Sequence, residues 1–570
     1  MAKVQKDQQY YDQIKEKFAS ERDLRLGYRP QGTDQYTSDF SGAKEKYGVD
    51  PYASSSNARE AINDSVEVLF IGGGFSALLT SARLREKGIE SIRIVERAGD
   101  VGGTWYWNRY PGVACDVISY DYLPLLDEMN YVPKRRYSGG EEILEHSRAI
   151  ARKYGLYDLA VFQTTVTSTV WNSDEKMWHV RTDRGDLMRA RFVVCANGTL
   201  SKPKLAKIEG IDEFSGHSFH TSRWDYDYTG KDLENLSDKR VGIIGTGATA
   251  VQAIPELGKR AKELFIFQRT PSSIDIRDDW ETDPEWASQR PKGWQAARRE
   301  KSLKAVEPSE AQLAEFASIS REEKIRRQEN ANIDYMMRIH RRIEQEIEDP
   351  EVAESLKPWY MFMCKRPCFH NEYLPTFNRS NVHLVDTRGE GINQITSKGP
   401  VFQDHEYELD VLIYATGFEV QKTGIYNQIL GEGGLDLQDK YREGMRTVFG
   451  IHSKGYPNLF VMGGYQASFQ FNLTYMLQTQ GDHIAECIAY VRENGFDTID
   501  PTEETEEWWV QEVIENRGKT TRNEECTPGY YNFEGESQRR QDGNYNGGIR
   551  KYWAHMEKTR ERMSDAFNFS

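Results

Sequence analysis

Two glycine-rich turns stand 173 residues apart, and each is followed 24 residues later by a charged residue, acidic after the first and basic after the second. The first is Gly72-Gly73-Gly74-Phe75-Ser76-Ala77, with Glu96 beyond it. The second is Gly245-Thr246-Gly247-Ala248-Thr249-Ala250, with Arg269 beyond it. Each has the form of the strand-to-helix corner of a dinucleotide-binding unit: a tight turn, a close approach of pyrophosphate to a helix N-terminus, and a small third residue for helix–strand packing. A carboxylate at the later position accepts hydrogen bonds from ribose hydroxyls and repels a 2′-phosphate, so Glu96 suits FAD or NAD. A guanidinium there attracts a 2′-phosphate, so Arg269 suits NADP. A chain holding a flavin and NADPH is built to pass a hydride between them.

The flanks support both turns. Val66 to Ile71 and Arg240 to Ile244 are apolar runs leading into the glycines, and Ser91 to Glu96 and Leu264 to Arg269 read as the following strands. The expected fold is α/β, with two Rossmann-like dinucleotide-binding domains, one for FAD and one for NADP. The pattern predicts a polar N-terminal extension over 1–63 and a first nucleotide domain over 64–200. The second nucleotide domain is expected over 201–395, the first resumes over 396–540, and 541–570 forms a C-terminal tail. Within the second, about 285–355 is charged and helix-prone and reads as a helical insertion with a solvated face. In the extension, Tyr10 to Phe18 predicts a short amphipathic helix, while Ser41 to Asn63, with its Ser54-Ser55-Ser56-Asn57 run, is loop-like. The extension either wraps the body, meets a partner or is disordered. Phe192 to Gly198 and Val411 to Gly417 look like a matched pair of strands carrying the chain between domains. Asn458 to Gly464 reads as a strand leading into a helix from about Asn472, whose N-terminus is placed to favour negative charge on a reduced flavin.

Net charge is −15, from 89 acidic and 74 basic residues, which disfavours nucleic acid or an anionic membrane as the partner. No run of apolar residues reaches the length of a membrane span, and the N-terminus lacks a signal-like apolar stretch. The six cysteines (Cys115, Cys195, Cys364, Cys368, Cys487 and Cys526) form no C-x-x-C pair. They read as free thiols in a reducing cytoplasm, and no metal site is expected from Cys364 and Cys368.

Two longer motifs narrow the class. Gly102-Gly103-Thr104-Trp105-Tyr106-Trp107-Asn108-Arg109-Tyr110-Pro111-Gly112-Val113-Ala114-Cys115-Asp116 fits [AG]-G-x-W-x-x-x-x-[FY]-P-[GM]-x-x-x-D. Phe214, Gly216, His220, Trp224 and Asp225 fit F-x-G-x-x-x-H-x-x-x-W-[PD]. Over roughly residues 65 to 490 the chain resembles the Baeyer–Villiger monooxygenases, flavin enzymes of class B. That resemblance implies FAD and NADPH as cofactors and oxygen insertion beside a ketone carbonyl, through a C4a-peroxyflavin, to give an ester or lactone. Lys365-Arg366-Pro367 matches the family's active-site segment, so Arg366 is the implied catalytic arginine and Asp116 the carboxylate that orients it. His220 is implied to join domains. Gly72, Gly74, Ser76, Ala77 and Glu96 are the implied FAD cradle, with Thr104, Trp105, Trp107, Asp116 and Tyr122 near the flavin. Val166 and Leu473 are implied FAD neighbours too. For NADP the implied set is Thr246, Gly247, Ala248, Thr249, Ala250 and Gln252 at the turn. Arg269, Thr270, Lys365 and Arg366 complete it, with Arg269 and Lys365 on the 2′-phosphate.

The chemistry explains the arginine: a peroxide must stay anionic to attack a carbonyl, and a fixed guanidinium stabilises that anion and the adduct after it. Within the family, the long extension and the Cys526-Thr527-Pro528-Gly529-Tyr530-Tyr531-Asn532 segment resemble the branch acting on bulky cyclic, macrocyclic or polycyclic ketones. That segment and Trp508-Trp509 are candidates for a closing lid. Three readings compete. A class B oxygenase of sulfur or nitrogen needs a protonated peroxide, against which an Arg–Asp pair argues. A flavin disulfide reductase needs a cysteine pair by the flavin, and Cys115 has no close partner in sequence. A non-catalytic flavin binder has no use for Arg366.

Overall fold

The apolar run before each glycine-rich turn becomes the centre of a parallel sheet. The computed structural model describes residues 7–28, 33–53, 58–420, 427–468, 472–517, 526–535 and 539–570. The Ser54–Asn57 run lies outside the described residues. In chain order, the elements that position the site are helix α1 (Gln8–Tyr28), strand β1 (Asn63–Ile71), helix α2 (Phe75–Glu86), strand β2 (Arg240–Ile244), helix α3 (Ala248–Arg260), helix α4 (Arg321–Glu346) and helix α5 (Leu473–Glu493).

Val68 to Ile71 are buried on both faces of β1, as a central parallel strand requires. β1 pairs in parallel with Leu187–Cys195 on one side and Ile92–Val95 on the other. Leu459–Val461 and Ala160–Val161 extend the parallel set. A hairpin of Val166–Asn172 and Met177–Thr182 runs antiparallel into the start of Leu187–Cys195. The second sheet is parallel throughout, in the order Val382–Asp386, Glu263–Gln268, β2, Val411–Tyr414, His217–His220.

This pairing corrects the expected return to the first unit at residue 396. Val411–Tyr414 is fully buried between β2 and His217–His220, so the chain stays with the second sheet until that strand is laid down. Residues 394–406 form a small three-stranded antiparallel meander. The two crossings between units run side by side: Lys204 N donates to Gly417 O at 3.0 Å and Glu419 N to Lys202 O at 2.8 Å.

The expected C-terminal tail is likewise structured. Helix Ile549–Glu561 buries Tyr552 and Met556 in the first unit's core, and Phe567–Phe569 pairs antiparallel with Ile499–Pro501. Trp509, a lid candidate by sequence, is buried in the same core and donates its indole N–H to Gln466 O at 3.1 Å. Aromatic bulk near a chain end reads equally as lid or core until its packing partners are known.

The described part of the N-terminal extension packs on the body. α1 is longer than the predicted helix and buries Ile14 and Phe18 against a cluster that includes Ile333 and Met336 of α4. Lys15 pairs with Glu329 at 2.5 Å. Helices fill 284–288, 294–306, 310–318, 321–346 and 350–355. The Arg321–Arg327 end of α4 is largely solvated, while Ile339 and Ile343 pack into the second unit's core.

The expectation of six free thiols fails for two. Cys364 and Cys526, 162 residues apart in sequence, form a disulfide with Cα atoms 5.2 Å apart. Folding brings together two cysteines that no local spacing pairs. Cys115, Cys195, Cys368 and Cys487 are free and buried. Among the described residues no helix is long and apolar enough to cross a membrane.

Candidate active site

The two glycine-rich turns are built alike, down to the atom that enforces each glycine. Gly72 has φ +107° and Gly245 has φ +109°. A Cβ on Gly72 would sit 2.7 Å from Ala196 O, and one on Gly245 would sit 2.7 Å from Ala415 O. Those carbonyls end the matched strands seen in the sequence, Leu187–Cys195 and Val411–Tyr414. Each exit strand therefore presses on the first glycine of its own cradle, where no other residue fits.

Gly74 and Gly247 cap α2 and α3 without any side-chain hydrogen bond, leaving the first helical N–H groups open to a phosphate. Ser76 and Ala77 are buried in the first turn of α2, with Ala248, Thr249 and Ala250 at the same place in α3. Gly103 faces Gly74, and a Cβ on Gly103 would lie 2.9 Å from Gly74 Cα. Both cradles thus fit a pyrophosphate, which needs bare backbone. Glu96 follows Ile92–Val95 and accepts from Ala98 N at 2.7 Å and from Gly73 N. Burial raises its carboxyl above the usual range against the pull of those two N–H groups.

The first long motif ends on the pair expected from sequence. Arg366 Nη2 and Nε donate to Asp116 Oδ2 at 2.5 and 3.1 Å. Neither partner is sealed off: Arg366 keeps 40% of its side-chain exposure and Asp116 keeps 27%. Tyr110, from the same motif, is buried and donates to Gln252 Oε1 at 2.8 Å. Gln252 returns a bond from Nε2 to Ala114 O at 3.0 Å. Gln252 therefore clips the segment leading to Asp116 onto α3 of the second unit, and Arg277 adds a bond to Cys115 O at 2.8 Å.

Thr104, Trp105 and Trp107 lie on the short helix Thr104–Trp107, with Thr104 exposed and both tryptophans buried. Trp105 donates to Tyr122 OH at 2.9 Å. α5 starts at Leu473, which is 38% exposed, and Asn472 caps it by accepting from Tyr475 N at 3.3 Å. Asn472 and Thr474 also bond the backbone carbonyls of Asp121 and Tyr122, fixing the N-terminus of α5 beside Tyr122. Val166 opens its strand, buried and paired with Thr182, and stands apart from these contacts.

The second long motif is structural. His220 is fully buried, accepts Ser222 N at 3.1 Å on Nδ1 and is pushed down to about 3 by burial, so it stays neutral. Trp224 donates to Thr229 Oγ1 at 3.1 Å, and Asp225 caps the next helix by accepting Tyr228 N at 2.9 Å. Arg223, one residue outside the fixed positions, lies 3.8 Å over the Trp107 ring and joins the two motifs. Burial lowers its guanidinium to about 9. Sequence reading missed Arg223 because the motif marks it only as a variable position.

For NADP, Thr246 Oγ1 bonds Thr270 O at 2.9 Å, tying the cradle to the end of strand Glu263–Gln268. Thr270 Oγ1 is buried without a hydrogen-bond partner among the described residues. Arg269 donates to Tyr36 OH at 2.6 Å and Gln35 Oε1 at 3.2 Å, and Lys365 donates to Pro528 O at 2.7 Å. Neither set of partners was anticipated, since both come from distant ends of the chain.

Away from the cradles, His452, His483 and Cys487 cluster in the core, with the two imidazole Nε2 atoms 3.0 Å apart. Burial drives both rings neutral, His452 to about 3, and raises the Cys487 thiol, so one imidazole donates to the other.

Two nucleotide units, each with a parallel strand core, joined at an Arg–Asp pair, define a two-dinucleotide flavoprotein oxidoreductase. A family model for pyridine nucleotide-disulphide oxidoreductases matches residues 69–312, a span that holds neither bridged cysteine. The chain is 42% identical to Baeyer-Villiger monooxygenase ATR8 of Stachybotrys chlorohalonatus, over 96% of this chain and 92% of that protein. Its fold matches the polycyclic ketone monooxygenase of Thermothelomyces thermophila with TM-score 0.90 and 34% identity, over 98% and 99% of the two chains. OTEMO in complex with FAD and NADP matches with TM-score 0.75 and 28% identity, over 90% of this chain and all of that one. The chain belongs to the Baeyer–Villiger monooxygenase family. It is an enzyme that uses FAD and NADPH to insert one oxygen atom of O2 beside a ketone carbonyl.

Proposed function

We propose that this enzyme converts bulky polycyclic or macrocyclic ketones to lactones, with Arg366 as its catalytic residue and Asp116 as the group that positions it. The observation that carries the assignment is the two-point hold of Arg366 on one oxygen of Asp116. It fixes the plane and direction of the guanidinium, which keeps 40% of its side-chain exposure.

FAD held in the first cradle, with NADPH in the second, would supply the activation of O2. The chain does the rest. Arg366 cannot lose its proton at working pH, so it stabilises negative charge on the attacking oxygen and on the ketone oxygen as a carbon migrates. Asp116 fixes the direction of that charge. Gln252 and Arg277 hold the backbone beside Asp116, and the α5 N-terminus favours negative charge near Tyr122. Arg269 and Lys365 form the 2′-phosphate clamp, with Thr270 beside them. Glu96 takes the FAD ribose, and Val166 is an FAD neighbour.

The substrate class rests on likeness to a polycyclic ketone monooxygenase. Demand for NADPH supports a cytoplasmic location, where the buried Cys364–Cys526 bridge is shielded from thiolate attack. The test is mass spectrometry of products from FAD-loaded protein with NADPH, ¹⁸O2 and a polycyclic ketone. A lactone with one ¹⁸O in its ring is expected. NADPH consumption that yields hydrogen peroxide alone, across ketones of several ring sizes, refutes the substrate class.

A further inference from the structure

Both cations of the clamp are gripped by parts of the chain far from either cradle. Lys365 Nζ donates to the carbonyls of Pro528 at 2.7 Å and Thr527 at 3.4 Å. Those carbonyls sit in a turn closed by Asn532, which accepts Gly529 N at 2.8 Å and donates to Thr527 O at 3.2 Å. The turn begins at Cys526, and Cys526 is bonded to Cys364, the residue next to Lys365. At its far end Glu534 pairs with Lys204 at 2.6 Å in a nearly buried ion pair. Lys204 Nζ stands 3.9 Å from the centre of the Tyr36 ring, and the Tyr36 hydroxyl is the one Arg269 meets. One chain of contacts therefore runs from Lys365 through the bridged turn to Arg269.

A lysine ammonium is a point charge on a flexible stem, and ordering it costs rotamer entropy unless something else fixes it first. Two carbonyls accept from Lys365, and a carbonyl sets an ammonium's direction without carrying a counter-charge of its own. The disulfide ties those carbonyls to the lysine's own neighbour. Resting on the reading of Lys365 and Arg269 as the 2′-phosphate clamp, we propose that the Cys364–Cys526 bridge and the 526–534 turn position that clamp and so set the preference for NADPH over NADH.

The experiment measures KM and kcat for NADPH and NADH on FAD-loaded wild type, Cys364→Ser, Cys526→Ser, Tyr36→Phe and Lys365→Ala. Each serine variant, and Tyr36→Phe through the Arg269 arm, is expected to keep its FAD and its kcat while KM for NADPH rises about tenfold and KM for NADH stays put, as for a weakened charged contact. Lys365→Ala is the control for the clamp. If it abolishes the preference while the serine variants and Tyr36→Phe retain it, the positioning role is overturned and the clamp stands. If Lys365→Ala leaves the preference intact, both fall. Thiol titration of the unfolded wild type, purified without reductant, is expected to find the four free cysteines. Six would overturn the bridge itself.

Discussion

Asp186 is held by an unusually full set of donors: both Nη atoms of Arg59 at 2.6 Å, Ile62 N at 2.7 Å and Thr182 Oγ1 at 2.5 Å. Burial works against its charge, but the Arg59 fork and the other donors prevail and hold the carboxyl down to about 2. A folded value below the unfolded one adds stability above pH ~4, lost as pH falls toward pH ~2. Asp186→Asn is therefore expected to lower Tm at neutral pH, with the gap to wild type narrowing below pH ~4; thermal melts across that range check it. Arg366→Ala is expected to keep FAD and its reduction by NADPH but to lose ester formation on the order of a hundred- to a thousandfold. Unchanged ester formation removes Arg366 from the mechanism. Both members of the Arg366–Asp116 pair were legible because each lies in a contiguous motif. Tyr36 and Pro528 were not, since nothing in their own neighbourhoods refers to Arg269 or Lys365.

Helices α2 and α5 cross closely at Gly481, where a Cβ would lie 2.9 Å from Thr80 Oγ1 and 3.2 Å from Thr80 Cα. Gly481→Val is expected to destabilise by about 1–3 kcal/mol through overpacking. Because α5 also reaches Tyr122 at its N-terminus, FAD release on heating should come earlier in step with unfolding. A variant with wild-type Tm and flavin retention argues that the crossing relaxes without cost. Elements were legible where one short signal decides them, as in the apolar runs that end at Gly72 and Gly245. The extent of α1 was not, because its C-terminal half is polar in sequence and its apolar positions face α4, a helix some 300 residues away.

At the scale of the molecule, the last residues complete the first unit. Helix Ile549–Glu561 and strand Phe567–Phe569 place Tyr552, Met556 and Phe567 in its core, and Tyr552 donates to Phe449 O at 2.7 Å. Ending the chain at residue 548 is expected to abolish soluble, flavin-loaded protein; a truncated chain that keeps its yellow colour and Tm contradicts this. The two-unit plan was readable from the paired turns, but its seams were not. Where the second sheet ends depends on Val411–Tyr414 slotting between β2 and His217–His220, a choice of neighbours that the strand's own apolar sequence leaves open.

The seam has a mechanical meaning. Residues 202–204 and 417–419 run antiparallel, and their backbone bonds lock them in register. A slide of one unit along the other would have to break that register. The ribbon is a register stop between the two units. The Arg366–Asp116 pair and the Gln252 clip hold the same two units at their other side, so the reacting groups sit between two fastenings rather than at a loose edge.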